Sequence, residues 1–306
     1  MPATSLVAEP TLSRGPQLAG TFVDVSDYDR PGRGSGLLDV FRWNYLLRVL
    51  IRKGTATRYR NSTLGWVWSY VKPASQFVIY YFIMGIVLQN HRVDNFAVYL
   101  FSGIVVVNLF NEAFGNATNS IVDNRALVRK IYMPRELFPV AAIVGSVIHF
   151  LPQLAILIVV CLLIGWVPTV AGMFGAILGF LLILSFGLGL GLLFSGLNVR
   201  YRDAQNFVDL IKMFSTWTSP VLYSWVLIAE ALRNYPWASF LYTANPITIA
   251  VELFHVGFWE PTVKEPQGLP EYFNWAALCA VAITIVFLIA GQAVFRHYER
   301  TFAQDL

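Results

Sequence analysis

Most polar side chains in this sequence lie between its long apolar runs, so the few inside them mark where chemistry is possible. Asn108, Asn111 and Glu112 form one such group, and His149 stands apart from it. On a helix, positions 108 and 112 share a face and 111 lies beside them, which makes a single polar stripe. A carboxylate at the centre of a bilayer costs on the order of 2.5–3.5 kcal/mol on insertion scales, so Glu112 is expected to face protein or water. Such a stripe can hold a structural hydrogen-bond network or a functional one, and both readings stay open. His149 reads first as a hydrogen-bonded histidine between helices. A proton-driven carrier would need more intramembrane acid than this.

Catalytic constellations are absent from the sequence. A phosphate loop of the Walker type ends in Lys followed by Ser or Thr, because the amine meets the phosphates and the hydroxyl meets magnesium. None of the five lysines is so followed. No His-Glu-x-x-His, Gly-x-Ser-x-Gly or Cys-x-x-Cys occurs, which leaves zinc hydrolysis, a nucleophile elbow and dithiol chemistry without support. Cys161 and Cys279 both sit in apolar runs and offer neither a disulfide framework nor a metal cluster. Gly187, Gly189 and Gly191 resemble a nucleotide loop only superficially, since they lie in an apolar run with no preceding strand. With Gly175 and Gly179 they predict close helix packing instead. Asn61-Ser62-Thr63 and Asn116-Ala117-Thr118 match a glycosylation acceptor, but both fall on the side expected to be cytoplasmic.

The elements that must position these residues follow from composition and periodicity. Of 306 residues, 56% are hydrophobic and 13% charged, against about 25% charged in soluble domains. The net charge of +4 does not indicate nucleic acid, because the basic residues flank apolar runs as they do in membrane proteins. No cleaved signal is expected, since the first apolar run begins only around Val71. Residues 1–36, rich in Gly, Pro, Ser and Asp, read as a flexible cytoplasmic tail. Residues 37–60 read as an amphipathic helix in the membrane interface. Leu38, Phe41, Tyr45 and Val49 recur at helical spacing, Arg42, Arg48, Arg52 and Lys53 occupy other faces, and Arg58 and Arg60 follow. An ordinary surface helix packed on protein is the alternative.

Six apolar runs come next, about 64–88, 96–114, 137–164, 170–197, 207–228 and 275–295. Each can cross about 30 Å of hydrocarbon at 1.5 Å per residue. A seventh piece, 247–259, reaches only about 20 Å as a helix and is expected to be re-entrant or interfacial. The expected fold is therefore all-α and integral to the membrane: six spans in a permease domain over 61–300, with a short tail over 301–306. Nineteen of the 22 Lys and Arg fall on one set of loops or run ends, and only Arg92, Arg233 and Lys264 on the other. The positive-inside rule places the large set, and both termini, in the cytoplasm. Trp66 and Trp68 then belong to the inner aromatic belt.

Two stretches carry a resemblance to a known family. The first is Arg58-Tyr59-Arg60-Asn61-Ser62-Thr63-Leu64-Gly65-Trp66-Val67-Trp68, with Lys72-Pro73 after it. The second is Asn124-Arg125-Ala126-Leu127-Val128-Arg129-Lys130-Ile131-Tyr132-Met133-Pro134-Arg135-Glu136, running on to Pro139. Both are similar to permease subunits of ABC exporters for polysaccharides, the family that moves lipid-linked O-antigen, capsule, teichoic acid and galactan. The likeness covers roughly residues 38–300.

The resemblance implies several things. Two copies of this chain would pair with two copies of a separate cytosolic ATPase, which would hold the ATP and magnesium; this chain would be no enzyme and would carry no cofactor. The cargo would be a polyprenyl-linked glycan, exported across the inner (plasma) membrane. A segment from about Thr118 to Pro134 would be the coupling helix that docks in the ATPase, with Asn124, Arg125, Arg129, Lys130, Tyr132, Pro134, Arg135 and Glu136 as coupling residues. Arg129, Lys130, Arg135 and Glu136 are expected outside the hydrocarbon, at positions where a substitution usually changes stability by no more than about 0.5 kcal/mol. Residues 229–259 would form short outer gate helices broken at Pro220, Pro236 and Pro246.

A polyprenyl tail costs about 0.8 kcal/mol per CH₂ to pull from lipid, so the tail stays in the bilayer while the glycan threads the protein. Tyr70, Phe77 and Tyr81, spaced by seven and four, share a face of the first span. They could stack on sugars, although aromatic packing between helices explains them as well. A secondary carrier, a membrane-embedded glycosyl or lipid transferase and a drug-exporting ABC permease are the rival classes. The basic, aromatic-rich chain and its long tail incline the cargo towards galactan, with O-antigen or teichoic acid next.

Overall fold

The computed structural model describes residues 36–58, 65–87, 93–131, 133–201, 203–302 and 306, and among them there are helices and turns but no strand. The expected tail over 1–36 lies almost wholly outside the described residues. Among the described residues, four helices are long and apolar enough to cross a membrane: α4 (Phe96–Asp123), α6 (Leu137–Leu163), α7 (Val170–Arg200) and α12 (Phe273–Glu299). They coincide with the second, third, fourth and sixth apolar runs. The first run becomes α3 (Trp68–Tyr80), which continues as a π-helix over Tyr81–Val87.

The fifth run is not one helix. Only α8 (Ala204–Trp217) is continuous, and its 14 residues reach about 21 Å at 1.5 Å per residue. The chain then turns through Ser219-Pro220, where proline lacks an N–H for a helix to use, and restarts as α9 (Trp225–Ala231). The turn is held from α4, whose Tyr99 hydroxyl donates to the carbonyls of Pro220 at 2.7 Å and Tyr223 at 3.0 Å. Pro236 and Pro246 lie at breaks between short helices and begin the next one: each stands in the first turn, of α10 (Pro236–Thr243) and α11 (Pro246–Phe254). The π-helix His255–Trp259 prolongs α11. Nearly every side chain of α11 is buried among α4, α7 and α12, so the seventh apolar piece is an internal element and not a surface one.

Glycines of α7 set its distance from three neighbours, as their spacing predicts. A Cβ on Gly291 of α12 would fall 2.2 Å from the carbonyl oxygen of Gly189, and one on Gly191 would fall 2.4 Å from Cβ of Ala117 on α4. Gly179 lies close against α11, where a Cβ would fall 3.0 Å from the carbonyl oxygen of Ala250, while Gly175 leaves ordinary contact room to Leu253.

The amphipathic segment differs from its expected form. A short helix, α1 (Asp39–Arg42), stops at Trp43, and α2 (Asn44–Arg58) starts afresh. Its packed face is Leu46, Leu47, Leu50 and Ile51, two i,i+4 pairs that join the cluster around Phe138 and Phe295. Tyr45 and Val49, from the apolar stripe expected in the membrane interface, are 79% and 46% exposed on the protein. The four adjacent aliphatic residues make a wider apolar face than the tyrosine and valine, and that face is the one covered. Arg42, Arg48, Arg52 and Lys53 are exposed, as expected. Arg60 lies outside the described residues.

Candidate functional site: a carboxamide-lined cleft and a basic turn

The polar stripe of α4 opens onto a cleft of about 760 Å³ between α3, α4, α6 and α8. Asn108, Glu112 and Asn116 form one i,i+4 row of α4, and Asn111, Gly115 and Asn119 form the next. Facing them are Trp68, Ser69, Lys72, Pro73 and Gln76 of α3, His149 and Gln153 of α6, and Lys212 of α8. The wall is held by cross-helix bonds. Asn116 Nδ2 donates to Ser146 Oγ at 3.0 Å, Ser215 Oγ donates to Asn111 Oδ1 at 2.9 Å, and Asn198 Nδ2 donates to Asn119 Oδ1 at 3.1 Å. His149 is buried, with Nδ1 3.4 Å from Ser69 Oγ, which bears out its reading as an interhelical histidine.

The cleft is polar without a dominant charge. Lys72, Lys212 and Glu112 all line it, and Lys212 Nζ is 3.3 Å from Asp209 Oδ1. Lys212 lies across Gly115, where a Cβ would come within 2.5 Å of its Nζ. Gln153 Oε1 is buried and has no hydrogen-bond partner among the described residues. Six carboxamides, each with donors and acceptors, line one space beside an indole and make a surface suited to a neutral, hydroxyl-rich ligand.

Sequence reasoning found Asn108, Asn111, Glu112 and His149 and missed the rest. Continuing the i,i+4 rows to Asn116 and Asn119 would have extended the stripe. Lys72 and Lys212, by contrast, look like topology signals because each stands at the end of an apolar run. Of the proposed glycan-stacking aromatics, none lines this cleft. Phe77 and Tyr81 stack at 5.7 Å, Phe77 meets Phe101 edge-on at 5.5 Å, and Tyr81 stacks on Phe96 at 6.4 Å, so both tie α3 to α4. Tyr70 is exposed.

The stretch expected to form the coupling helix is divided between two helices. Thr118–Asp123 continue α4, and the separate helix is α5 (Arg125–Lys130). Arg125, Arg129 and Lys130 are exposed, while Val128 is buried and anchors the helix. Asn124 Oδ1 accepts from Lys53 Nζ at 2.8 Å, which joins two residues assigned to different elements from sequence. Tyr132 lies outside the described residues. Pro134 and Arg135 are half-buried. Glu136 is 4% exposed, so the expectation of a surface position there is corrected. A carboxylate near a loop can still be covered when a neighbouring helix supplies its partners.

Residues 45–259 match the ABC-2 type transporter family. The chain belongs to that family. Its curated relatives include an O-antigen export system permease protein of Klebsiella pneumoniae, 27% identical over 261 residues that cover 85% of this chain and 95% of the relative. Another, an O-antigen export system permease protein of Myxococcus xanthus, is 23% identical over 88% of this chain and 98% of the relative. A capsule polysaccharide export inner-membrane protein of Neisseria meningitidis serogroup A is 22% identical over 83% of this chain and 91% of the relative.

Proposed function

We propose that this chain is the membrane-spanning subunit of an ATP-driven exporter that moves a polyprenyl-linked polysaccharide from the cytoplasmic to the outer face of the inner membrane. The observation that carries the reading is the carboxamide-lined cleft. A bundle built of apolar helices places Gln76, Asn108, Asn111, Asn116, Asn119 and Gln153 around one space, and that chemistry suits sugar hydroxyls better than a lipid tail or an ion. The relatives named for O-antigen and capsule export support the same cargo class.

In this reading α3 with its π extension and α8 with the turn after it complete six spans, both termini face the cytoplasm, and α9 to α11 form the gate on the outer side. Two copies of the chain assemble with two copies of a cytosolic ATPase that holds ATP and magnesium. The exposed basic residues of α5, with Asn124 before and Pro134 after, meet that ATPase, while α2 lies at the inner membrane surface. The polyprenyl tail stays in lipid and the glycan passes between the helices. Galactan is the first cargo to test.

Depletion of the chain in its own cell should remove the glycan from the surface and accumulate its lipid-linked form inside. The purified chain alone should turn over neither ATP nor lipid-linked glycan. Unchanged surface glycan after depletion, or ATP hydrolysis by the chain alone, would overturn the proposal.

A further inference from the structure

Arg135 and Glu136, at the root of α6, reach across to the far end of the chain. Glu136 stands at the N-cap of α6, where a short side-chain oxygen can accept from the first amides of the helix. It makes no such bond. Its Oε1 instead accepts from Gln292 Nε2 at 3.0 Å and lies 3.9 Å from Nε of Arg296. These two α12 residues are four apart and share a face. Arg135 donates to the carbonyl of Glu299, one of the last-turn carbonyls of α12 that no later amide of the helix can reach. Its guanidinium is 5.7 Å from the ring centroid of Phe302. Phe302 and Phe295 meet edge-on at 5.4 Å and share one cluster with Val128 of α5, Leu137 and Phe138. Gly36 closes over the group: a Cβ there would lie 2.7 Å from Arg296 Nη2 and 2.9 Å from Gln292 Nε2.

A buried carboxylate is costly unless it is paired and hydrogen-bonded, so this arrangement depends on all of its partners. Helix α12 otherwise leans on α7 far more than on α6. Long side chains, rather than closely packed backbones, therefore form the direct link between α12 and the coupling segment.

We infer that Arg135, Glu136, Gln292 and Arg296 form a latch that makes the cytoplasmic end of α12 move as one body with the coupling segment, so that a push on α5 reaches α12 as well as α4 and α6. The inference rests on the reading of α5 as the ATPase-contacting element. These are positioning residues, and none of them lines the cleft.

The test uses the complete complex in proteoliposomes and measures glycan exported per ATP hydrolysed. Arg296→Glu places two acids together. It should leave insertion, co-purification of the ATPase and ATP turnover in place while lowering export per ATP by about fivefold or more, the range of typical coupling energies. Arg296→Lys should keep most of the coupling. If Arg296→Glu fails to insert, the pair Glu136→Cys with Gln292→Cys carries the test. Unbridged it should be uncoupled, bridged by a bis-methanethiosulfonate it should recover, and reductant should reverse the recovery.

A bridged form that is blocked, or an unbridged pair with wild-type coupling, would sink the latch. The double reversal Arg129→Glu with Lys130→Glu tests the underlying reading separately, since it should cost the complex its ATPase. If that reversal has no effect, the premise itself falls. An effect there, with none from breaking the latch, removes the latch alone.

Discussion

Gln76 and Asn108 carry polarity into the cleft from two helices, α3 and α4. Both side chains are half-buried, and a substitution away from a packed core usually changes stability by no more than about 0.5 kcal/mol. Gln76→Leu with Asn108→Leu should therefore insert and assemble like the parent while glycan export falls by about tenfold, the equivalent of about 1.4 kcal/mol of lost interaction with the cargo. Export of radiolabelled glycan and size-exclusion profiles measure the two quantities side by side, and normal export would show that these carboxamides do not meet the cargo. Residues of this kind are legible in sequence only where they contrast with their surroundings. Asn108 and Glu112 stand out among valine, leucine and phenylalanine, whereas Lys72 and Lys212 at run ends look like any other membrane-flanking lysine.

The contact between α7 and α12 is where single atoms decide how two elements sit. A Cβ on Gly291 would press on the backbone carbonyl of Gly189, which cannot rotate away, so the helices themselves would have to separate. Gly291→Ala should cost about 1–3 kcal/mol, the usual range for overpacking, and lower the thermal midpoint of the detergent-solubilised chain. Gly145→Ala on α6 has nothing within 4 Å of the new methyl and should hold or raise that midpoint, since alanine is the better helix former. Equal effects would mean that the α7–α12 approach is looser than described. At this scale the existence of the long helices was readable from apolar run length, and so was the packing role of the α7 glycines. Pro220 signalled the break after Trp217, but not what holds the turn, because hydropathy carries no information about a tyrosine 121 residues away.

Topology belongs to the whole molecule. Asp94 and Asp123 are exposed near opposite ends of α4, whose 28 residues span about 42 Å. An impermeant thiol reagent on intact cells should label Asp94→Cys and leave Asp123→Cys untouched until the membrane is opened. Equal labelling would end the orientation drawn from the 19-to-3 division of basic residues. Assembly is the other property at this scale: co-expressed with its ATPase, the chain should purify with two copies of each, as mass measurement of the detergent complex would show. A one-to-one stoichiometry without dimerisation would contradict it.

The amino-acid sequence by itself determined that the chain is helical and belongs in a membrane, because apolar runs of twenty residues or more leave a backbone few other ways to satisfy its hydrogen bonds in lipid. It also carried the two motifs that mark the transporter family and the polar stripe at Asn108, Asn111 and Glu112. Only the tertiary structure decided that this stripe faces Gln76, Gln153 and Lys212 rather than another protein surface, since the orientation of a helix about its axis depends on its neighbours. It likewise moved Glu136 from an expected surface site to a buried one. The partners that make that burial tolerable, Gln292 and Arg296, lie more than 150 residues away and are brought close by the packing of α12.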